Sequence, residues 1–482
     1  MRKEKTAGSI SRPPILKKME YREKYKRLFR FSLTLLNVAV LTGVYAYFWF
    51  SYYHERQIIG VLYFRWGHYA ILTLYAVLLY FFASVYGAMK VGYLRAMDVL
   101  FSQFIAVIFV NAITYIQLAL IGRWTFGRHL LPLLRMTAID LVLVVGWVLL
   151  SKWIYGILYP ARDLLLIYGD RSPRSIMKKL SSRRDKFHIR ETACIEFETD
   201  EEIFEKIDHA QSVLIGDIPS QRRNDFLRYC FKKDIRCYSV PKIADIMMMS
   251  SETMNFFDTV LQLNRNRGLS AEQQALKRLM DIVVSLAMLM VFSPLMIIIA
   301  LLIWITDRGP VFYKQERLTK DGKIFMIYKF RSMTVNAEQK GIRLAAEGDP
   351  RVTTVGHVIR NLHLDELPQL INILKGDMSM VGPRPERPEI AAEYTELIPE
   401  FEYRLKVKAG LTGFAQVYGK YNTTPYDKLK LDLFYIENYS IWMDIKLCML
   451  TFKILFQKEN TQGVDPGQRT AAGTPEKKKN IF

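Results

Sequence analysis

KRLMDIVVSLAMLMVFSPLMIIIALLIWIT, residues 277–306, is apolar from Leu279 to Thr306 except for Asp281, and carries Ser293-Pro294 at its middle. At ~1.5 Å per residue a straight helix of this length crosses a ~30 Å hydrocarbon layer and carries everything after it to the far side. A proline inside the helix removes one backbone donor and clashes with the preceding turn, so the helix can bend sharply there. Broken at Ser293-Pro294, each arm is about thirteen residues, or ~20 Å, too short to span the layer alone. Such a hairpin enters and leaves the same leaflet. A kinked crossing helix and a re-entrant hairpin both fit these residues.

Upstream lie four more apolar runs, at 31–52, 68–89, 99–121 and 136–159, each long enough to span. The fourth contains Asp140 and Lys152, each placed to reach an interface from near an end of the run; a carboxylate deeper in the layer would suggest a proton or ion path. Eleven Lys or Arg precede Phe31, a dense basic stretch follows Tyr159, and the outer loops hold only Arg56, Arg65, Arg123, Arg128 and Arg135. Positive-inside counting places both the N-terminus and everything after Tyr159 in the cytosol. The basic start lacks a small-residue cleavage site, so the first run reads as a retained anchor. The net charge of +20 sits beside apolar spans, which favours lipid and phosphate over nucleic acid. Cys194, Cys230, Cys237 and Cys448 have neither zinc-site spacing nor the look of a disulfide framework, so reduced thiols are expected.

Between the spans and residue 277 the pattern changes. Asp163–Tyr168 and Ser212–Ile215 read as short buried strands, each followed by Gly-Asp. Phe226–Lys233 reads as a helix leading into a strand at Arg236–Val240. Alternating strands and helices predict a small parallel α/β, Rossmann-like unit. Its first turn, Gly169-Asp170-Arg171-Ser172-Pro173, lacks the GxGxxG that lets a backbone approach a pyrophosphate. A scaffold or regulatory role is the plainer reading.

Downstream, the densest chemistry is Leu364-Asp365-Glu366-Leu367-Pro368-Gln369-Leu370, followed by Gly376-Asp377-Met378-Ser379 and Gly382-Pro383-Arg384-Pro385. Leu367–Lys375 reads as a short helix with Pro368 in its first turn and Gly376 ending it. Asp365 and Glu366 then sit at a helix N-terminus, where free amides favour anions. Two adjacent carboxylates suit attack on phosphorus and Mg²⁺ binding, although such a pair alone is most often a cap. Phosphoryl transfer also needs cations on the non-bridging oxygens. Lys329-Phe330-Arg331 and Pro383-Arg384-Pro385 supply candidates. At the end of the chain, Ile441, Ile445, Cys448, Met449, Phe452, Leu455 and Phe456 recur on one side of a helix, as expected for a helix on a membrane surface or packed on the domain.

Together the segments KRLMD, Gly309-Pro310-Val311-Phe312-Tyr313, Gln315-Glu316-Arg317, KFRSM, Asp349-Pro350-Arg351-Val352-Thr353, LDELPQL, GDMSMVGPRPE and Gly410-Leu411-Thr412-Gly413 resemble the polyprenyl-phosphate glycosyl-1-phosphate transferases, the bacterial sugar transferase family. The four spans and α/β unit resemble its large form. The resemblance implies a two-step exchange: Asp365 takes the phosphosugar from a UDP-hexose of glucose or galactose type and releases UMP, then undecaprenyl phosphate receives it. Glu366 would hold Mg²⁺. Lys329, Arg331 and Arg384, with Glu316 and Arg317, would bind phosphates or substrate. The location of the donor favours the hairpin at Ser293-Pro294, which keeps the site at the cytosolic face of the bacterial inner membrane.

The expected organisation is a basic cytosolic tail (1–30), a four-helix membrane domain (31–160), a Rossmann-like α/β domain (161–265), a mainly α, monotopic catalytic domain (275–457) and a disordered tail (458–482). Membrane lipids and a second copy of the chain are possible partners, and nucleic acid is not expected. Three places depart from the family pattern: His363 stands where Ser or Thr is usual, Ala409 where Pro is usual and Tyr418 where Asn is usual. The rival readings are an inactive membrane scaffold for polysaccharide assembly and a glycosyltransferase that releases UDP.

Overall fold

The structure is a computed structural model that describes residues 23–53, 66–121, 130–169, 173–264, 268–334, 349, 351–419 and 423–455. The expectations for residues 1–22 and 458–482, for the loop arginines 56, 65, 123 and 128, for residues 170–172 and for Phe456 fall outside these. The chain divides into two compact units, Met1–Val240 and Pro241–Phe482.

The first unit begins with α1 (Lys26–Phe48), α2 (Gly67–Tyr86), α3 (Ala96–Ile121) and α4 (Leu130–Leu158), each long and apolar enough to cross a membrane. Aromatic packing fills the bundle, with Tyr45 stacked on Tyr75 at 4.3 Å. The Tyr75 hydroxyl donates to Asn111 Oδ1 (2.9 Å), and Asn111 Nδ2 donates to Asp140 Oδ2 (3.2 Å) and Thr137 Oγ1 (2.9 Å). Asp140 is fully buried inside the bundle rather than exposed near a helix end as expected. Helix α4 starts six residues before the apolar run read from sequence, so Asp140 lies well inside it. Lys152 is exposed.

The unit continues with β1 (Arg162–Tyr168), α5 (Arg174–Ser181), β2 (Phe187–Cys194), α6 (Asp200–His209), β3 (Ser212–Ile215), α7 (Ser220–Lys232) and β4 (Arg236–Ser239). The four strands form a parallel sheet of order β2-β1-β3-β4, the expected α/β architecture. Its core is Leu165, Ile167, Val213, Ile215 and Phe226 with Ile203 and Ile207, all buried.

Residues 241–264, expected in the α/β domain, cluster with the second unit. Helix α8 (Ile243–Met248) buries Ile243 and Ile246 in that unit's core, and Ser250 Oγ donates to Glu437 Oε2 at 2.9 Å. A hairpin, β5 (Glu252–Phe256) and β6 (Thr259–Leu263), follows. Then comes α9 (Ala271–Asp307), capped by Ser270 and Gln273. One helix stands where two arms were expected: Ser293 and Pro294 lie inside it, so the pair does not interrupt the helix. Proline leaves only one acceptor unpaired, and Ser293 Oγ adds a bond to the Met290 carbonyl.

Helix α9 is followed by the antiparallel pair β7 (Phe312–Leu318) and β8 (Ile324–Phe330), then α10 (Thr354–Asn361), α11 (Gln369–Lys375), β9 (Ser379–Val381) and α12 (Pro388–Leu397). Strand β10 (Gly410–Thr412) pairs in parallel with β9, and α13 (Phe414–Tyr418), α14 (Pro425–Glu437) and α15 (Ile441–Leu455) complete the unit. Helix α15 presents Asp444, Leu447, Leu450 and Lys453 to the interior. Trp442, Ile445 and Phe452 are exposed, so its outward side carries part of the expected apolar stripe.

Candidate active site

Asp365 and Glu366 lie in a single 3-10 turn, Leu364–Glu366, entered through His363 in the left-handed region (φ 55°). Helix α11 starts only at Gln369, with Pro368 before it and Gly376 (φ 94°) after it. The helix is two residues shorter than the expected Leu367–Lys375 and the dyad precedes it in a turn of its own, where Lys329 and Arg384 contact Glu366.

Both cations arrive from distant segments. Lys329 Nζ, near the end of β8, donates to Glu366 Oε1 at 2.7 Å. Arg384 Nη2, from the Pro-Arg-Pro segment after β9, donates to the same oxygen at 2.8 Å. Lys329 and Glu366 are largely buried, whereas the Arg384 side chain is 43% exposed and can meet a ligand. Burial pushes the Glu366 carboxyl up, but Arg384 and Lys329 together hold it well below the usual carboxylate range. The Asp365 carboxyl is pushed up, first by burial and then by Glu366, against the pull of Lys329, Arg360 and His363. Asp365 is thus the more basic of the two. Basicity favours nucleophilic attack once the group is ionised.

The other expected site residues separate. Arg317 is turned inward, its Nη1 donating to the Pro385 carbonyl (3.0 Å) and its Nη2 to Gln315 Oε1 (2.7 Å), so it supports the segment carrying Arg384. Burial holds its guanidinium down at about 10. Strand alternation puts Glu316 on the exposed side of β7. Arg331 is buried with its guanidinium against Gly309, where a Cβ would fall 2.2 Å from Nη1.

Several residues that the motif reading left without a role, or passed over, position the site. Arg404 Nη2 donates to the Arg384 carbonyl (3.0 Å) and pairs with buried Asp432 at 2.8 Å. Glu386 is held by Lys428 and Arg404. On the other side, α9 grips β9 residue by residue. Asp281 Oδ1 accepts from Ser379 Oγ (2.9 Å) and the Met380 N–H (2.8 Å), while Lys277 Nζ donates to the Val381 carbonyl (2.8 Å) and Asp444 Oδ2 (2.7 Å). Arg278 donates to the Ile373 and Leu374 carbonyls at the end of α11. A charge inside an apolar run, as at Asp281 and Asp444, is the signal that could have found this junction.

The motif glycines have a steric origin. Gly382 N–H donates to the Thr412 carbonyl and Gly410 N–H to the Pro383 carbonyl, so two backbones touch. A Cβ on Gly410 would lie 2.1 Å from the Gly382 nitrogen, and one on Gly413 would lie 2.1 Å from the Gly382 oxygen. That contact fixes where Pro383-Arg384-Pro385 departs.

No cluster of three or more His, Cys, Asp or Glu occurs among the described residues. The donor set at the dyad is the Asp365 carboxylate and Glu366 Oε2, which neither cation contact uses. Two carboxylates fit a Mg²⁺ that draws its remaining oxygen ligands from phosphates and water.

Comparison with known proteins converges on the same segment. The family model described as Bacterial sugar transferase matches residues 272–458. Over 183 residues the chain is 44% identical to a UDP-N-acetylgalactosamine-undecaprenyl-phosphate N-acetylgalactosaminephosphotransferase of Aeromonas hydrophila, covering 37% of this chain and 43% of the relative. An undecaprenyl-phosphate galactose phosphotransferase of Salmonella typhimurium is 34% identical over 50% of this chain and 53% of its own length. A UDP-glucose:undecaprenyl-phosphate glucose-1-phosphate transferase of Caulobacter vibrioides is 37% identical, with 38% of this chain and 71% of the relative covered. The chain thus spans about half or less of the first two relatives and over two thirds of the third.

Proposed function

Because this chain belongs to the bacterial sugar transferase family, we propose that it transfers a hexose-1-phosphate from a UDP-sugar to undecaprenyl phosphate and so begins synthesis of an exopolysaccharide or capsule. The observation that carries this reading is the meeting of Asp365, Glu366, Lys329 and Arg384 from three separate segments. The relatives named above act on three different sugars, so what is carried over is phosphoryl-transfer machinery; a glucose- or galactose-type donor is the working choice.

In this mechanism an Asp365 carboxylate oxygen attacks the phosphorus that bears the sugar. The bridging P–O bond to the nucleotide breaks and UMP leaves with its electron pair. A phosphate oxygen of undecaprenyl phosphate then attacks the same phosphorus, breaking the Asp365 O–P bond and restoring the carboxylate. Lys329 and Arg384 stand where they can turn from Glu366 to the non-bridging oxygens and neutralise charge as it shifts. A Mg²⁺ held by Glu366 would supply further neutralisation of the diphosphate.

Helix α9 fits a re-entrant placement in the cytoplasmic membrane, with the catalytic unit on the cytosolic side. Its first turns are bonded to β9 and α11 through Lys277, Arg278 and Asp281. Beyond Pro294, Ile299 and Ile303 are buried in the same core, and just past its end the Val311 carbonyl accepts from the Arg331 N–H. Contacts of both ends with one unit support this placement over a simple crossing, although the helix itself is unbroken at Pro294.

The test is turnover by the purified full chain with UDP-glucose, UDP-galactose and undecaprenyl phosphate. The expected product is UMP. Radiolabelled sugar should become bonded to the protein when the lipid is left out, and Asp365→Asn should abolish both. UDP as product, or undiminished turnover by Asp365→Asn, would overturn the mechanism; inactivity with every UDP-hexose would favour the scaffold reading.

A further inference from the structure

Where the helical bundle meets the α/β domain, three cations gather on tyrosine rings, and only Lys26 among them also faces a carboxylate, Glu23 at 3.7 Å. Lys26 Nζ, at the start of α1, lies 5.0 Å from the Tyr159 ring centroid and 5.4 Å from that of Tyr155, both at the end of α4. One turn on, the Arg30 guanidinium lies 4.7 Å from the Tyr93 ring centroid, in the segment joining α2 to α3. Lys186, ahead of β2, places its ammonium 4.5 Å from the same centroid. Two cations over one ring are thus at most about 9 Å apart, and the ring's quadrupole offsets only part of their repulsion.

The nearby acids are committed elsewhere. Glu23 is shared among Arg162, Arg236 and, more distantly, Lys26, and Asp185 binds Arg183 through both oxygens. Among the described residues no carboxylate bonds Arg30 or Lys186, and Arg30 Nε is buried with no hydrogen-bond partner. Burial, then Arg183 and Lys26, hold the Lys186 ammonium below its ordinary range. The place is also built. Arg183 donates to the Tyr93 carbonyl, and Gly92 (φ +76°) is pressed so closely against Tyr155 that a Cβ would fall 2.0 Å from its ring. Tyr93 remains 47% exposed, so the space between the cations is reachable.

We propose that Arg30 and Lys186, with Lys26 beside them, bind the phosphate of an anionic lipid headgroup at this end of the bundle. The chemistry required is a phosphate that accepts from Arg30 Nε and the Lys186 ammonium and relieves their mutual repulsion. A lipid is the source because Lys26 and Arg30 lie at the start of a helix long and apolar enough to span a bilayer, where headgroups are expected, and Lys186 reaches the same Tyr93 ring from the α/β domain. The site lies outside the segment matched by the family model, so it stands or falls independently of the catalytic reading.

The experiment uses the full chain in neutral detergent, titrated with short-chain phosphatidylglycerol, with phosphatidylcholine of the same chains, and with inorganic phosphate. Phosphatidylglycerol should bind the wild type in preference to phosphatidylcholine, and Arg30→Gln/Lys186→Gln should weaken it roughly tenfold or more, as expected for two cations near an anionic lipid. Arg30→Lys/Lys186→Arg should keep most of the binding, which separates charge from folding. Equal binding of the two lipids, unchanged binding by the Gln pair, or complete displacement by inorganic phosphate at the lipid's own concentration would overturn the proposal.

Discussion

Glu366 Oε1 stands 2.7 Å from Lys329 Nζ. The carboxylate joins a lysine near the end of β8 to the turn that carries Asp365. Its second partner, Arg384 at 2.8 Å, brings in the segment after β9. Both cations are therefore ordered before any phosphate arrives, and less entropy is lost when one does.

Lys329→Met should lower turnover by about 10²–10³, the usual effect of removing one preorganised charge-stabilising donor. The loss should fall mainly on kcat, because charge develops in the transition state. Steady-state kinetics with saturating lipid would show it. A variant that keeps more than a tenth of wild-type turnover would remove Lys329 from the phosphate site.

The Lys277–Asp444 pair is buried, with side chains 7% and 0% exposed. Lys277→Met strips buried Asp444 of its cation, leaving it to neutral partners such as the Tyr435 hydroxyl, and should cost about 3–5 kcal/mol of stability. Adding Asp444→Leu removes the stranded charge and should recover much of that loss. Denaturation of the two variants in the same detergent reads the difference. Equal stability of the single and double variants would mean that the charge pair contributes nothing specific.

Periodicity made the bundle legible, because four apolar runs need no tertiary information to be seen. Strands β1, β3 and β4 were legible for the same reason. Strand β2 was not: His188, Arg190 and Glu191 interrupt its apolar pattern, which an edge strand can afford because only one side pairs. At the site, Asp365, Glu366, Lys329 and Arg384 were readable from residue chemistry and family resemblance. Arg404, Asp432, Lys428 and Asp444 were not, because their partners lie 9 to 167 residues away in the chain. The seat of Asp140 was misread because a run of hydrophobicity does not mark where a helix begins.

Glu386 gives a pH dependence with a definite sign. Burial pushes its carboxyl up, but Lys428 and Arg404 bring it down to about 2, well under the ordinary 4.5. A depressed carboxyl stabilises the folded state above its unfolded pKa, and that contribution is lost as pH falls from about 4.5 to about 2. Glu386→Gln should be less stable than wild type at pH 6, by on the order of 3 kcal/mol at most. Its deficit should shrink steadily as the pH is lowered through that window. Thermal midpoints of both proteins across the range test this; a constant difference would show that Glu386 is not held by charge.

Gly410 offers the sharpest test of how Arg384 is placed. Any Cβ there meets backbone rather than a flexible side chain, 2.1 Å from the Gly382 nitrogen and 2.4 Å from the Thr412 carbonyl oxygen. Neither atom can yield without parting β9 from β10, whose register pairs Gly410 with Ser379 and Thr412 with Val381. Gly410→Ala should therefore cost about 1–3 kcal/mol as overpacking. It should also lower activity beyond what stability explains, because the displaced Gly382 leads directly into Arg384. Gly322 is the control: its φ is +72° but a Cβ there meets nothing within 4 Å, so Gly322→Ala brings only backbone strain of roughly 1 kcal/mol and pushes on no atom of the Arg384 segment. Measured side by side, the two variants should lose comparable stability while only Gly410→Ala loses turnover. Equal turnover in both would mean that the contact of the two glycine-bearing backbones does not set the position of Arg384.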